Sequence, residues 1–124
     1  MADNKGIKAS QVPMTVQELP DFAEEADRIL GERSHAELIA FLGLNPEVGV
    51  IIGQTGGIRK LRWAIPGRGK RGGARVIYYF HSEGLPLLAL DIYAKNEKED
   101  LTAKEKSALR AIVGQFVKTK KKRN

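Results

Sequence analysis

Cysteine is absent from all 124 residues. That excludes disulfide staples, thiol nucleophiles and cysteine-ligated zinc. Histidine is scarce, with His35 and His81 alone. Neither has a catalytic partner near it in sequence, and both read as surface side chains. Carboxylate and histidine spacings match no metal-ligand pattern, so neither a metal nor a cofactor is expected. No apolar run approaches the roughly 20 residues that cross a bilayer, so no membrane partner is expected. Nor does an apolar stretch of signal-peptide type stand near the N-terminus, which makes the cytoplasm the expected location. The most informative gap is local. No acid lies between Glu47 and Glu83, while Arg59, Lys60, Arg62, Arg68, Lys70, Arg71 and Arg75 all fall there.

What is present fits one globular domain over residues 1–124. Hydrophobic residues make up 42% and charged residues 29%, enough for a packed core and too apolar for a disordered chain. The formal net charge of +6 suggests a polyanionic partner. Residues 1–12 carry no periodic pattern and read as a loose arm, and residues 118–124 read as a basic tail.

Between these ends the pattern is mixed. Met14 to Leu19 alternates as a short strand. Pro20 stops it and suits the first turn of a helix running to Leu30, where Gly31 ends it. Ser34 and Glu37 have the spacing of a capping box, which predicts a second helix up to Asn45-Pro46. Nine of the 13 glycines lie from Gly49 to Gly84, where the character changes. Ile58–Ala64, Ala74–Phe80 and Leu85–Tyr93 read as strands of an antiparallel sheet, with His81 to Gly84 as a hairpin turn. Pro66 to Gly73 is a loop. It lacks the Gly-Lys-Ser/Thr and following helix of a Walker motif. Thr102 and Glu105 form a capping box for a last helix, in which Leu109, Ile112, Val113, Phe116 and Val117 make an apolar face.

Cations with no acid near them in sequence cannot pair locally, and they repel one another unless an anion neutralises them. Phosphate suits them, because arginine forks match its oxygens. Strand alternation puts Lys60 and Arg62 on one face and Leu61, Trp63 and Ile65 on the other. Arg75, Ile77 and Tyr79 share a face of the next strand, and Asp91 and Tyr93 of the one after. Lys60, Arg62, Arg75 and Tyr93 on one open side would make a basic cleft with a ring for base stacking. The bland alternative is an ordinary solvated face; likewise Gly67–Gly73 reads equally as a phosphate cradle or as a mobile basic loop.

Three segments carry a family resemblance. They are Gly56-Gly57-Ile58-Arg59-Lys60-Leu61-Arg62, Gly69-Lys70-Arg71-Gly72-Gly73-Ala74-Arg75-Val76-Ile77-Tyr78-Tyr79-Phe80 and Tyr93-Ala94-Lys95-Asn96-Glu97-Lys98-Glu99-Asp100-Leu101. Together they resemble RelE/ParE-superfamily toxins of type II toxin–antitoxin systems, and most closely the HigB-like RelE branch. The resemblance implies an α+β fold: two N-terminal helices packed on a small antiparallel sheet of about four strands, plus a C-terminal helix. It implies a ribosome-dependent mRNA endonuclease that inhibits translation. It also implies a cognate antitoxin of helix-turn-helix type, with operator DNA reached only through that antitoxin. The family's cleft cations fall on Lys60, Arg62, Arg75 and Lys95. Arg59, Arg68, Lys70, Arg71, Tyr79 and Tyr93 are the further RNA-binding candidates. The chain departs from the pattern in its longer, more basic 66–73 loop. It also has no tyrosine near the start of the last helix, a place Tyr93 would have to fill.

The expected mechanism is metal-free attack of a 2′-OH on the adjacent phosphate. Lys60 is the expected base or its helper, made more acidic by neighbouring cations. Arg75 would clamp the phosphorane, Arg62 would position phosphate, and Lys95 would be a second clamp or the acid. Two rival functions share these residues. A ParE-like gyrase inhibitor would act in a supercoiling assay. A non-catalytic RNA- or ribosome-binding module would bind with steep salt dependence and cut nothing.

Overall fold

The computed structural model describes residues 12–68 and 72–122, with the backbone alone at Lys122. The elements in chain order are β1 (Val16–Glu18), α1 (Pro20–Leu44), β2 (Val50–Ile51), β3 (Ile58–Trp63), β4 (Ala74–Tyr79), β5 (Leu87–Ala94) and α2 (Ala103–Lys122). The five strands form one sheet in the order β1-β5-β4-β3-β2. Pairing is antiparallel throughout except for β1, which runs parallel to β5.

The sheet is therefore larger than the expected four antiparallel strands. The extra strand, β2, is two residues long and too short to show a period. The parallel pairing of β1 follows from its connection. The chain leaves β1 through α1, β2, β3 and β4 before β5 arrives beside it, so no hairpin constrains the direction.

The expected pair of N-terminal helices is one element broken at Gly31, whose φ of 82° is non-helical. Pro20 opens it as expected. Its buried positions are Phe22, Ala26, Leu30, Ser34, Leu38 and Leu42, with Gly43 at the end. A strict four-residue spacing drifts by about 40° per step on a regular helix. The break at Gly31 lets the second half restart on the sheet. Ser34 is not the cap it resembled. It lies inside the resumed helix, buried, and its hydroxyl accepts a hydrogen bond from Trp63 Nε1 at 3.0 Å.

The sheet is covered on both sides. On one, α1 packs Phe22, Leu38 and Leu42 against Val76, Tyr78, Ala89 and Ile92, with Leu61 and Trp63 at the margin. On the other, α2 packs Leu109 and Val113 against Ile58, Ile77, Tyr79, Leu88 and Leu90. Glu105 N–H donates to Thr102 Oγ1 and Thr102 N–H to Glu105 Oε1, so the second capping box forms as its spacing predicts. The helix runs on through Lys122, so the basic residues from Lys118 extend α2 rather than trail from it.

Candidate nucleic-acid interface

The pairing of the central strands assembles the cations. Lys60 lies opposite Ile77, Arg62 opposite Arg75, and Arg75 in turn opposite Tyr93. Arg62, Arg75 and Tyr93 thus form a row across β3, β4 and β5, with Lys60 two residues along on the same face. This is the face α2 covers; Tyr93 belongs to the cluster under the helix, while Arg62 and Arg75 lie outside it. Directly opposed residues on neighbouring strands have Cβ atoms about 5 Å apart, a distance at which like charges destabilise the sheet. Among the described residues, neither Arg62 nor Arg75 forms an ion pair; the Arg75 guanidinium reaches only the carbonyl of Ala74, at 3.5 Å. Two opposed arginines without a carboxylate between them are a place for an anion.

Lys60 is differently placed from the expectation. Its ammonium lies 3.6 Å from Asp100 Oδ1, so it has a carboxylate beside it as well as cations. Asp100 is held below the usual carboxylate range, first by the Leu101 N–H that its Oδ1 accepts at 2.8 Å, then by Lys60 and Lys106. It is therefore an ionised, largely exposed acceptor next to a cation. The sequence reading missed it because it lies outside the acid-free window. It reaches Lys60 only through the turn between β5 and α2.

Tyr93 sits in the row but is 6% exposed, with Lys98 Nζ 5.3 Å from its ring centre. Its hydroxyl is buried and makes no hydrogen bond of good geometry among the described residues. Burial, with the charge of Asp100 next, pushes its ionisation up to about 12. It is a floor to the groove rather than an open stacking platform. Lys95 follows Tyr93 by two residues. Its N–H donates to the Gly72 and Gly73 carbonyls at 3.2 and 3.0 Å, which brings the end of β5 to the start of β4. Its ammonium donates to the Glu99 carbonyl at 3.3 Å. Gly73 is required in this closure, since a Cβ there would stand 2.7 Å from the Trp63 carbonyl oxygen.

Two further candidates are drawn elsewhere. Arg59 belongs to the other side of β3, where it donates to the carbonyls of Glu47 and Gly49 at 3.0 and 2.8 Å. It holds the β2 approach rather than joining the row. Tyr79 is 8% exposed and packs in the α2 core. Arg68 is exposed, and its charge acts on Glu97. Lys70 and Arg71 lie outside the described residues. A groove of about 590 Å³ is lined by Leu19, Leu88, Ile112 and Phe116 among others and contains none of the row. Its walls are mainly apolar, with one cation, Lys120, among the lining residues.

Residues 47–123, well over half of the chain, match the family model described as the RelE toxin of the RelE / RelB toxin–antitoxin system. The chain belongs to the RelE toxin family. The match begins just before β2 and takes in β3, β4, β5 and α2, the elements that carry the cation row. As a RelE-family toxin the protein has a cognate antitoxin as its implied partner. No helix among the described residues is long and apolar enough to cross a membrane.

Proposed function

We propose that this RelE-family toxin is an endoribonuclease that cuts mRNA held on the ribosome, by metal-free attack of a 2′-OH on the neighbouring phosphate. The observation that supports it most is the Arg62–Arg75 pair, opposed on adjacent strands and without a carboxylate partner among the described residues. In the reaction the 2′-oxygen bonds to phosphorus and the bond from phosphorus to the 5′-oxygen breaks. The 2′-OH proton passes to a base and a second proton reaches the 5′-oxygen. A 2′,3′-cyclic phosphate and a 5′-hydroxyl result. Arg75 and Arg62 hold the charge that builds on the phosphoryl oxygens. Lys60 handles the 2′-OH proton with Asp100 beside it as acceptor. Lys95, at the rim, is the second clamp or the proton donor to the leaving oxygen. Cytoplasmic mRNA on the ribosome is the substrate this implies, and the antitoxin is of helix-turn-helix type.

The side chains are spread over β3, β4 and the β5–α2 turn and carry no histidine, so the chemistry relies on the ribosome to align the message. Purified protein is accordingly expected to leave naked RNA nearly intact. The deciding variant is Arg75→Ala. It is expected to keep its fold and lose about 10²- to 10³-fold in cleavage of translated transcripts, the usual effect of removing one charge-stabilising donor. Primer extension on such transcripts reads the loss. A folded Arg75→Ala protein that cuts at the parental rate overturns the assignment.

A further inference from the structure

Beyond the cation row, the other end of the α2 face carries two adjoining cavities that the proposed reaction does not use. The first, about 400 Å³, is lined by Gln54, Ala103, Lys106, Ser107 and Arg110. The second, about 430 Å³, includes Thr55, Gly56, Tyr79, His81, Arg110 and Lys118 in its wall. Both fall within the ~300–1,000 Å³ usual for small-ligand clefts. Arg110 belongs to both, and Gln54 and Thr55 are neighbours in the chain, so the two cavities are halves of one surface. Neither contains a carboxylate in its lining.

The halves differ in chemistry. The first offers an ammonium, a guanidinium, a hydroxyl and an amide. Lys106 and Arg110 are four residues apart on α2 and so share its face, about 6 Å apart along the axis. The second offers one exposed ring, His81, whose centroid lies 6.2 Å from that of the largely buried Tyr79 with the planes tilted by 51°. Between them runs the β2–β3 loop, where Gln54, Gly56 and Gly57 all have positive φ (63°, 78° and 110°). Thr55 pins that loop: it is 2% exposed, its hydroxyl donates to the Ile52 carbonyl at 2.6 Å, and it accepts the Ile58 N–H at 3.1 Å. The surface is therefore preformed. It also joins the reaction row, because Lys106 is near enough to act on Asp100, which touches Lys60.

We propose that this surface is a nucleotide subsite for the RNA strand beside the cut. A backbone phosphate sits between Lys106 and Arg110, and a base lies against the exposed His81 ring, with the edge of the largely buried Tyr79 beside it. The inference rests on the RNA reading above and adds to it a second point of contact. Alternating cation and ring is the arrangement that binds single-stranded nucleic acid without reading its sequence. An acidic peptide would use the cations and leave the rings without a role.

The test uses the full chain and a short labelled single-stranded oligoribonucleotide, with binding followed by fluorescence anisotropy across a salt series. Lys106→Gln with Arg110→Gln is expected to weaken binding about tenfold or more. It should also flatten the log–log salt slope by about 0.7, the share of the one single-strand phosphate no longer neutralised. Both positions sit on the outer part of α2, and circular dichroism checks that the fold is kept. His81→Ala is expected to cost about fivefold or more on the ordinary oligonucleotide and nothing on one whose bases have been removed. Parental binding that is unchanged in the double variant overturns the subsite alone. A double variant that keeps its RNA affinity but loses the cognate antitoxin makes the surface a protein contact and overturns it too. A parent that binds no RNA sinks the subsite and the functional reading together. A parent that binds through these residues but never cuts translated message leaves the subsite standing and removes only the nuclease.

Discussion

Asp100 does two things at once. Its Oδ1 accepts the Leu101 N–H at the approach to α2 and stands 3.6 Å from the Lys60 ammonium. Asn at this position retains an oxygen for the Leu101 bond and loses the charge. Asp100→Asn is therefore expected to change stability by less than about 1 kcal/mol, the scale of a single hydrogen bond kept or broken. Cleavage is expected to fall by about 10²-fold or more if the carboxylate takes part in proton transfer. A melting curve and a cleavage time course on the same preparation separate the two, and equal loss of both would reduce Asp100 to a helix cap. Because Asp100 is held below its ordinary value of 3.8, the parental rate should keep its base form throughout the neutral range. This residue also marks a limit of the sequence. The acid-free window pointed to Arg62 and Arg75 because charge spacing along a strand is visible in the chain. A carboxylate returning on a turn after β5 is not.

At the scale of elements, His35 ties the kinked α1 to the sheet. Its Nδ1 lies 2.6 Å from Asp27 Oδ1, across the Gly31 break, and its Nε2 lies 2.5 Å from Glu18 Oε1 on β1. The reading of His35 as a plain surface side chain is corrected by this pair of contacts: the side chain is 12% exposed. Burial works against the charged ring, but the bonds to Asp27 and Glu18 outweigh it and raise its ionisation above 6.5. A neutral imidazole has one N–H and leaves one carboxylate without its donor. The sign follows from linkage. The extra stability is fully present below pH 6.5 and is lost as pH rises through the higher folded value. Melting temperature is expected to fall as pH rises above 6.5 in the parent and to change less in His35→Gln. Identical profiles would remove the clamp.

The strands themselves were legible because β3 and β4 are rich in branched and aromatic residues. Both helix starts at Pro20 and Thr102 carried their own signatures. The kink was half legible: Gly31 showed as a stop, but the resumption before Ser34 depends on packing against Trp63, a contact between distant residues. β2 and the parallel pairing of β1 were not legible, since each is set by neighbours rather than by its own few residues.

For the whole molecule, the two faces of the sheet divide the labour. The α1 side holds the larger buried cluster, with Phe22, Leu38 and Leu42 essentially inaccessible. The α2 side holds the cations at one end and the rings at the other. A substitution in the first core should act on stability with little effect on chemistry. Leu38→Ala is expected to cost about 2–5 kcal/mol, the usual range for a large-to-small change at a fully buried site. Chemical denaturation measures that cost. Below its melting point the variant should cut translated message at close to the parental rate. A folded Leu38→Ala protein with strongly reduced cleavage would show that the faces are mechanically linked.

One irregularity joins those two ends. Along β4 and β5 the partners run Ile77 with Asp91 and then Tyr78 with Ala89, so Leu90 is an extra residue without an opposite number. The even-numbered Leu88 and Leu90 and the odd-numbered Tyr93 consequently serve the same side of the sheet. The strand changes phase once, midway between hydrophobic anchor and groove. Deleting Leu90 would restore a regular ladder in which Leu88 still pairs with Tyr79 and Tyr93 with Arg75, so the anchor and the groove residue both keep facing α2. A single-residue deletion there should therefore be no more damaging than truncating the Leu90 side chain, because the surplus residue adds an apolar contact towards α2 without setting the direction of either end.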